Sequence, residues 1–347
     1  YFTYKMLRSL TNRQKTEKKL IMLKDNFGRA HDYLRISLTD VCNFRCQYCI
    51  PDENTSFMPS SKLMTVDEID AIAREFVKLG VKKIRLTGGE PLVRKDVAEI
   101  LLALSKYPIE LTLTTNGLRT NDFIDVFKKA GIKSINVSLD TLDKNQFFAI
   151  TKRNVFDKVW NNIQQLIDEG FHVKINTVVM RDFNDNEILD FIEWTKKQAV
   201  HVRFIEFMPF DKNQWNTQKV FSYQEILDVA ATKYSFIRMK DGLNETAKKF
   251  KPFGHEGTFA VISTMSAPFC GNCNRMRLTA DGKMKNCLFS KGEADILTAL
   301  RNSEDIVPII KQCVASKAEA LGGQFEGDYK NIDAAKIDNR SMINIGG

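Results

Sequence analysis

The chain has 347 residues and a formal net charge of +8 at pH 7, which is enough length for one large domain with a smaller appendage. No run of eighteen apolar residues occurs, so we expect no membrane-spanning helix and no membrane partner. The first 20 residues hold six Lys or Arg and one acid, so the remaining chain carries only about +3 and predicts no general nucleic-acid surface.

Residues 1–21 form a basic extension that we predict to be a disordered arm. This segment lacks the apolar core of a signal peptide, and Met22 is where we expect the natural chain to begin. We predict a main domain over residues 22–220 and a C-terminal domain over residues 221–347.

The seven cysteines fall into groups of three, three and one: Cys42, Cys46 and Cys49, then Cys270, Cys273 and Cys287, then Cys313. An odd number in tight groups, without a secretory signal, indicates metal ligation in a reducing cytoplasm, where we expect the protein to reside. Cys313 is in register with Ile306 and Ile310 of a predicted helix, which favours a buried apolar role.

The first triplet follows a short apolar strand predicted over Tyr33–Leu38. The C-x3-C-x2-C spacing places three sulfurs in one loop, and thiolates favour zinc or iron–sulfur clusters. Three protein ligands leave a fourth position open, as catalytic metal sites do. A partial zinc site or a chance cluster is the alternative.

Strands and amphipathic helices then alternate. A capping box at Thr65–Glu68 opens the first helix, and the five further strands are predicted over Lys82–Thr87, Glu110–Thr115, Lys133–Leu139, His172–Val179 and His201–Phe207. Six such units predict a parallel α/β fold and are too few for a closed eight-stranded barrel, so we favour an open partial barrel. A doubly wound sheet fits the same periodicity, and in either fold the loops after the strands carry the chemistry.

The second triplet lies beyond another capping box, Ser222–Glu225, and a strand predicted over Thr258–Thr264. Asp281-Gly282 is a hairpin signal that can return Cys287 to the C-x2-C pair. Two triplets, each one ligand short, indicate two open clusters. A single zinc site shared between both triplets is the alternative.

Cations stand in the predicted half-buried strands, where such residues need a partner. They are Arg35, Arg85, Lys174 and Arg203, joined by Arg275 and Arg277 directly after Cys273. Pairing with Asp or Glu is the alternative for any one of them. Their convergence near two clusters favours a polyanionic substrate such as a triphosphate, to which Thr114 could add a hydroxyl.

The stretch Cys42–Cys49 resembles the cluster loop of radical S-adenosylmethionine (SAM) enzymes. Gly88-Gly89-Glu90-Pro91 resembles the loop that binds the amino group of SAM in these enzymes, although a tight turn into a helix is the alternative. Tyr48, Gly89, Ser138 and Met208 match SAM-contacting positions of the family.

From about Lys24 to Gly347 the chain is similar to one branch, the GTP 3′,8-cyclases of molybdenum cofactor biosynthesis. The matching motifs are Arg35–Asp40, Leu86–Pro91, Thr114–Gly117, Asn136–Asp140 and Arg203–Met208. The terminal Gly346-Gly347 matches a tail that is thought to enter the active site.

The resemblance implies a partial (β/α)6 radical SAM barrel and a C-terminal α+β domain with a second iron–sulfur cluster. It implies two [4Fe-4S] clusters, with SAM bound at the first and guanine at the second. Cleavage of SAM would give a 5′-deoxyadenosyl radical that removes the 3′ hydrogen of GTP. The resulting ribose carbon radical would then bond to C8 of the guanine. The product would be (8S)-3′,8-cyclo-7,8-dihydroguanosine 5′-triphosphate, formed in the first step of the pathway.

By the same resemblance, Arg35, Arg275 and Arg277 act in catalysis. The substrate-contacting residues would be Arg35, Arg85, Thr114, Lys174, Arg275, Met276 and Arg277. A flavodoxin or ferredoxin type of reductase would supply electrons, and cyclic pyranopterin monophosphate synthase would take the product. Monomer and homodimer both remain open.

Two other functions compete with this interpretation. A radical SAM enzyme with an auxiliary cluster that acts on a peptide would not need Arg35, Lys174 and the arginine pair. A zinc-ribbon binding module without catalysis conflicts with the six-strand pattern and its capped helices.

Overall fold

The structure is a computed structural model that describes residues 22–50, 55–325, 328–333 and 336–346. The predicted basic arm at residues 1–21 and the last residue, Gly347, lie outside the described residues. None of the helices in the described ranges is long and apolar enough to cross a membrane.

The N-terminal part alternates strands and helices, as the sequence predicts. Its elements are β1 (Tyr33–Ser37), α1 (Val66–Lys78), β2 (Lys83–Thr87), α2 (Val97–Leu104), β3 (Glu110–Thr115), α3 (Ile124–Lys129), β4 (Ser134–Ser138), α4 (Lys144–Thr151), α5 (Phe156–Asp168), β5 (His172–Val179), α6 (Ile188–Trp194) and β6 (His201–Glu206). The capping box of Thr65 and Glu68 forms, with both reciprocal hydrogen bonds present. Because it satisfies two free N–H groups at once, it fixes where α1 begins.

The C-terminal part is a mixture of short strands and helices. They are α7 (Tyr223–Ala231), β7 (Phe236–Arg238), β8 (Lys248–Pro252), β9 (Thr258–Ile262), β10 (Arg275–Leu278), β11 (Lys283–Lys285), β12 (Ala294–Asp295), α8 (Ile296–Arg301), α9 (Val307–Ala315) and α10 (Met342–Ile345). The predicted hairpin joins β10 to β11, which pair antiparallel, and Gly282 adopts the positive φ of +70° that its turn requires.

The twelve strands found in the described residues belong to one sheet in the order β12-β11-β10-β1-β2-β3-β4-β5-β6-β9-β8-β7. The strands β1 to β6 are parallel neighbours in chain order, which confirms the open partial barrel. The C-terminal strands extend this sheet at both edges, since β10 pairs parallel with β1 and β9 parallel with β6. The two ends of the barrel sheet are therefore held by the part of the chain that carries the second triplet.

The barrel strands have two chemically different faces, as side-chain alternation along a strand requires. On the outer face, buried apolar residues such as Leu34, Ile84 and Ile135 form one core with the helices, including Phe76 of α1. The inner face carries polar and charged residues. This division leaves the inside of the partial barrel free to bind a polar ligand.

Two regions differ from the sequence prediction. The helix α4, capped by the Asp143 side chain, and the strands β7 and β8 were not predicted, because each is short and weakly patterned. By contrast, Cys313 lies in α9 with 8% of its surface exposed, which confirms its assignment as a buried apolar residue.

Candidate active site

Two adjoining cavities occupy the inside of the barrel. The larger, of about 690 Å³, is lined by the second cysteine triplet and the cationic strand residues. The smaller, of about 180 Å³, is lined by the first triplet. Asn176, Ile205, Met208 and Met342 line both cavities, so ligands in the two spaces would meet at this shared wall.

The first triplet sits in a buried, mildly acidic environment. The backbone N–H of Phe44 donates to Cys42 Sγ at 3.4 Å. Burial, followed by the nearby Glu90 carboxylate, raises the pKa of the Cys42 thiol to about 11, and burial also raises the pKa of Cys46. These thiols therefore remain neutral at pH 7 unless a cation binds them.

The loop of the first triplet is anchored by side chains from several elements. Arg45 donates to the carbonyl of Cys42 at 2.6 Å, and Arg153, which follows α4, donates to the carbonyl of Asn43 at 2.9 Å. Asn116, after β3, donates to Asn43 Oδ1 at 2.6 Å. The loop is thus held in place by strand ends and by a helix that sequence analysis missed.

Gly88 and Gly89 are required by a close approach of two backbones. A Cβ atom on Gly89 would lie 2.6 Å from the carbonyl oxygens of Asp40 and Val41, and one on Gly88 would lie 2.6 Å from the Thr39 oxygen. Such distances are too short for a real side chain. The glycines line the smaller cavity and also support the start of the cluster loop.

The predicted SAM contacts gather around the smaller cavity. Tyr48, Gly89, Ser138 and Met208 all line it. Tyr48 donates its hydroxyl to Asp140 Oδ2 at 2.5 Å, while the backbone N–H of Val178 donates to Asp140 Oδ1 at 2.9 Å. Burial raises the pKa of Asp140 to about 6. Asp140, whose role was not predicted, therefore joins Tyr48 to the sheet.

The second triplet faces the larger cavity, with Cys270, Cys273 and Cys287 all in its wall. The backbone N–H of Leu321 donates to Cys270 Sγ at 3.4 Å. Arg29, far away in sequence, donates to the Cys270 carbonyl at 2.9 Å. The hairpin thus returns Cys287 to the pair, as the turn signal predicts.

Both triplets suit an iron–sulfur cluster. All seven cysteines lie in the described residues and are free thiols, and each triplet also receives an N–H···S hydrogen bond. Within the described ranges, no group of three His, Cys, Asp or Glu side chains converges on a single metal ion. A four-iron cluster spreads its cysteines over separate irons, and the triplets line separate cavities, which argues against one shared zinc ion.

The arginines lie side by side across three neighbouring strands. Arg35 of β1 is the register partner of Arg277 in β10 and of Arg85 in β2. On β5 and β6, Lys174 and Arg203 face the same cavity. These cations do not all share one register level, since Lys174 pairs with His201 and Arg203 with Asn176. All of them nevertheless line the larger cavity, and we call this group the ring.

Asp32, Glu110 and Glu245 also line the larger cavity, but in the described part of the chain they form no ion pair with this ring. None of Arg35, Arg85, Lys174, Arg203, Arg275 and Arg277 forms an ion pair there. Three of their buried N–H groups have no hydrogen-bond partner, namely Arg35 Nε, Arg203 Nε and Arg275 Nη1. Buried polar groups are normally satisfied, so these donors indicate a site for an anionic ligand.

Burial and mutual repulsion perturb the members of the ring. Burial, then the charges of Arg203, Lys83 and Arg85, lowers the pKa of Lys174 to about 8. Burial and the Arg85 charge lower the pKa of Arg203 to about 9. Both groups are still protonated at pH 7 and carry uncompensated charge, which an anion would relieve.

Sequence analysis left three lining residues without a role. Arg203 was noted as a strand cation only, and its Nη2 donates to Asn176 Oδ1 at 2.5 Å. Lys83 lies 5.4 Å from the ring centre of Tyr33. Burial raises the pKa of Tyr33, but Arg85, Arg35 and Arg275 outweigh it and lower the pKa to about 7. Side chains two residues apart on a strand point to the same face. This rule would have placed Tyr33 on the face of Arg35 and Lys83 on the face of Arg85.

Two predicted substrate contacts, Met276 and Thr114, are not among the residues that line the larger cavity. Met276 is 1% exposed and packs in the core, because it alternates with Arg275 and Arg277 along β10. Thr114 lines the smaller cavity and accepts a hydrogen bond of 3.3 Å from Arg85 Nη1.

The C-terminal tail enters the barrel at the ends of β1 and β2. Arg277 Nη1 donates to the Gly346 carbonyl at 2.5 Å. Gly346 has a φ of +84°, and a Cβ there would lie 2.6 Å from Thr87 Oγ1 and 2.8 Å from Ser37 Cβ. Only glycine fits this position without displacing its neighbours.

Two family models match the chain in tandem. The model of the radical SAM superfamily matches residues 36–195, and the model named Molybdenum Cofactor Synthesis C matches residues 200–322. The first therefore covers the first triplet and the strands from β2 to β5, and the second begins before β6 and reaches past the second triplet.

Comparisons with whole proteins extend this match. The mitochondrial GTP 3′,8-cyclase of Arabidopsis thaliana is 46% identical over 333 residues, which cover 94% of this chain and 84% of that protein. Molybdenum cofactor biosynthesis protein 1 of Mus musculus is 44% identical, over 93% of this chain and 51% of that protein, so the chain spans about half the length of this relative.

A solved structure, Streptococcus suis SuiB bound to S-adenosylmethionine, matches with a TM-score of 0.61. The match covers 98% of this chain and 79% of SuiB at 14% identity. Such low identity shows a common fold alone. Taken with the 46% identity to the plant cyclase, the matched family models and the two cysteine triplets, these findings show that the chain belongs to the GTP 3′,8-cyclase family of radical SAM enzymes.

Proposed function

We propose that this chain converts GTP to (8S)-3′,8-cyclo-7,8-dihydroguanosine 5′-triphosphate in the first step of molybdenum cofactor biosynthesis. The observation that carries the proposal is the ring of cations without carboxylate partners, which lies between two cysteine triplets. The family relationship supports the same reaction. A triphosphate would supply the missing negative charge, and guanidinium groups bind phosphate oxygens in a bidentate manner.

The position of the ring supports one orientation of the nucleotide. Lys174 and Arg203 lie on β5 and β6, which β1 to β4 separate from Arg277 on β10 in the sheet, and the second triplet borders the same cavity. We assign Arg35, Arg85, Lys174 and Arg203 to the triphosphate, and Arg275 and Arg277 to the end of the nucleotide near the second triplet. The ribose would then lie at the shared wall, beside the smaller cavity.

The first triplet would hold the [4Fe-4S] cluster that binds SAM, with Tyr48, Gly89, Ser138 and Met208 around the SAM molecule. When both are bound, the cluster and SAM together supply the radical that removes a ribose hydrogen. The second triplet, Cys270, Cys273 and Cys287, would hold the second [4Fe-4S] cluster, which would supply an iron site for the base in the larger cavity. The protein positions the reacting carbons and encloses them away from water, which is how proteins assist such cofactors.

Partners and location remain predictions. We propose a flavodoxin or ferredoxin type of reductase as electron donor and cyclic pyranopterin monophosphate synthase as the enzyme that takes the product. The exclusive use of free thiols supports a reducing compartment such as the cytoplasm.

Anaerobic reconstitution with iron and sulfide, followed by an iron count and a dithionite-driven assay with SAM and GTP, tests the proposal. We expect about eight irons per chain, as two four-iron clusters require, and formation of 5′-deoxyadenosine that depends on GTP. Mass spectrometry should find the cyclised triphosphate.

Other outcomes would support the competing functions. Formation of 5′-deoxyadenosine that is indifferent to GTP would favour a radical SAM enzyme with another substrate, such as a peptide. Stoichiometric zinc without SAM cleavage would favour a zinc-binding module and would contradict the proposal.

A further inference from the structure

A buried lysine touches a ligand of the second triplet. Lys317 follows α9 and is only 4% exposed. Its Nζ lies 3.4 Å from Cys273 Sγ and donates to the carbonyl oxygen of Arg275 at 3.0 Å. It therefore contacts both a cysteine of the triplet and the strand that carries the arginine pair.

Lys317 has no carboxylate partner in the described part of the chain. The buried acid on this side of the molecule, Asp25, is already engaged by Arg29 at 2.6 Å and by His31 at 3.0 Å. A buried ammonium without a counter-charge is costly. The thiolates of a bound cluster would provide that charge, at the sulfur that the ammonium already contacts.

We propose that Lys317 is a positioning residue that sets the reduction potential of the second cluster. A positive charge and a hydrogen bond at a cysteine sulfur stabilise the reduced, more negative state of a cluster, so they raise its potential. Its second hydrogen bond fixes the backbone at Arg275, and so ties the cluster to the start of β10. The inference rests on the second cluster and not on GTP being the substrate.

The test compares Lys317→Met with the wild type and with Lys311→Met in the reconstituted full chain. Lys311 lies on α9, shortly before Lys317, but is exposed, so its substitution controls for a general loss of charge. Midpoint potentials are measured without GTP by redox titration monitored by electron paramagnetic resonance. The signal of the second cluster is the one that SAM does not change.

We expect Lys317→Met to keep its iron and to shift the midpoint potential of the second cluster to a lower value, while Lys311→Met does not shift it. An unchanged potential at full iron content would overturn the proposal and leave Lys317 a structural role only.

If the Lys317→Met protein binds no second cluster, the same measurements are made on Lys317→Arg. Full iron and a wild-type potential in that variant support the charge role, and loss of the cluster from a folded Lys317→Arg protein contradicts it.

Because no GTP is used, failure of this test leaves the proposed cyclisation untouched. Conversely, a chain that shifts its potential as expected but produces no cyclised nucleotide would retain this inference and lose the proposed function.

Discussion

The two cysteine triplets have the same number of ligands but opposite electrostatic surroundings. Near the first triplet, burial and the carboxylates of Glu90 and Asp140 raise the pKa of its thiols. In the second triplet burial raises the pKa of Cys270, but the pKa of Cys273 is lowered, because Lys317 and Arg275 outweigh the effect of burial. The first triplet therefore has acidic neighbours, whereas Cys273 of the second triplet has cationic neighbours.

This difference indicates that the surroundings of the sulfurs, and not their number, divide the work between the clusters. Net charge and hydrogen bonds near the sulfurs tune a cluster. An acidic environment favours a strongly reducing cluster, which suits SAM cleavage. A cationic environment suits a cluster that shares its cavity with an anionic substrate.

Removal of one triplet at a time should have the largest effect. Replacing Cys42, Cys46 and Cys49 by Ser should abolish SAM cleavage, whereas replacing Cys270, Cys273 and Cys287 should retain SAM cleavage and abolish GTP conversion. Iron counts and 5′-deoxyadenosine assays measure both. Roughly half of the iron should remain in each variant, and SAM cleavage by the variant without the first triplet would contradict the division.

Arg277→Ala should lower kcat/KM for GTP by roughly 100-fold or more, because truncating one member of a buried charge pair costs about 2–5 kcal/mol. Iron content and SAM cleavage should persist. GTP binding, measured by equilibrium dialysis, should weaken in parallel. Arg301→Ala is the matched control, since Arg301 pairs with Glu68 at the surface, and unchanged GTP binding in Arg277→Ala would contradict the assignment of Arg277 to the nucleotide.

Gly89→Ala should act only on the first triplet. Its new methyl group would meet the backbone oxygens of Asp40 and Val41, and such overpacking costs about 1–3 kcal/mol. We expect weaker SAM binding and partial loss of iron. The electron paramagnetic resonance signal of the second cluster should remain unchanged. Gly292→Ala, where a Cβ meets nothing within 4 Å, should leave both clusters unchanged, and an equal loss at Gly292 would indicate a general defect.

The smallest predicted effect is the dependence of protein stability on pH. The pKa of Lys174 in the folded protein, about 8, lies below its ordinary value of 10.5. Between these values the unfolded chain binds more protons, so the stability of the GTP-free protein should rise with pH over that interval. Below pH 8 the destabilisation by the uncompensated charge is fully present.

Lys174→Met should therefore raise the melting temperature of the GTP-free protein at pH 7, by about 2–4 °C for each kcal/mol relieved, and should do so less at pH 10. Its affinity for GTP should fall. Calorimetry at the two pH values measures the first effect, with the exposed Lys311→Met as control. A lower melting temperature at pH 7 would show that Lys174 has a counter-charge.

The sequence by itself determined the features that depend on neighbours along the chain. The capping boxes at Thr65 and Ser222 formed, and the bounds of β3 and β5 agree with the prediction to the residue. The spacing of the cysteines also predicted two open triplets, because the ligands of a triplet are separated by short loops or by one hairpin.

Only the tertiary structure decided what surrounds the triplets. Arg29 reaches a carbonyl 241 residues away, β10 lies beside β1, and Gly346 meets Arg277 inside the barrel. No local pattern encodes such contacts, because they depend on which strands become neighbours in the sheet. Apart from Arg275, which closely follows Cys273 in the sequence, the charges that distinguish the two triplets therefore come from residues far away in the chain, such as Glu90, Asp140 and Lys317.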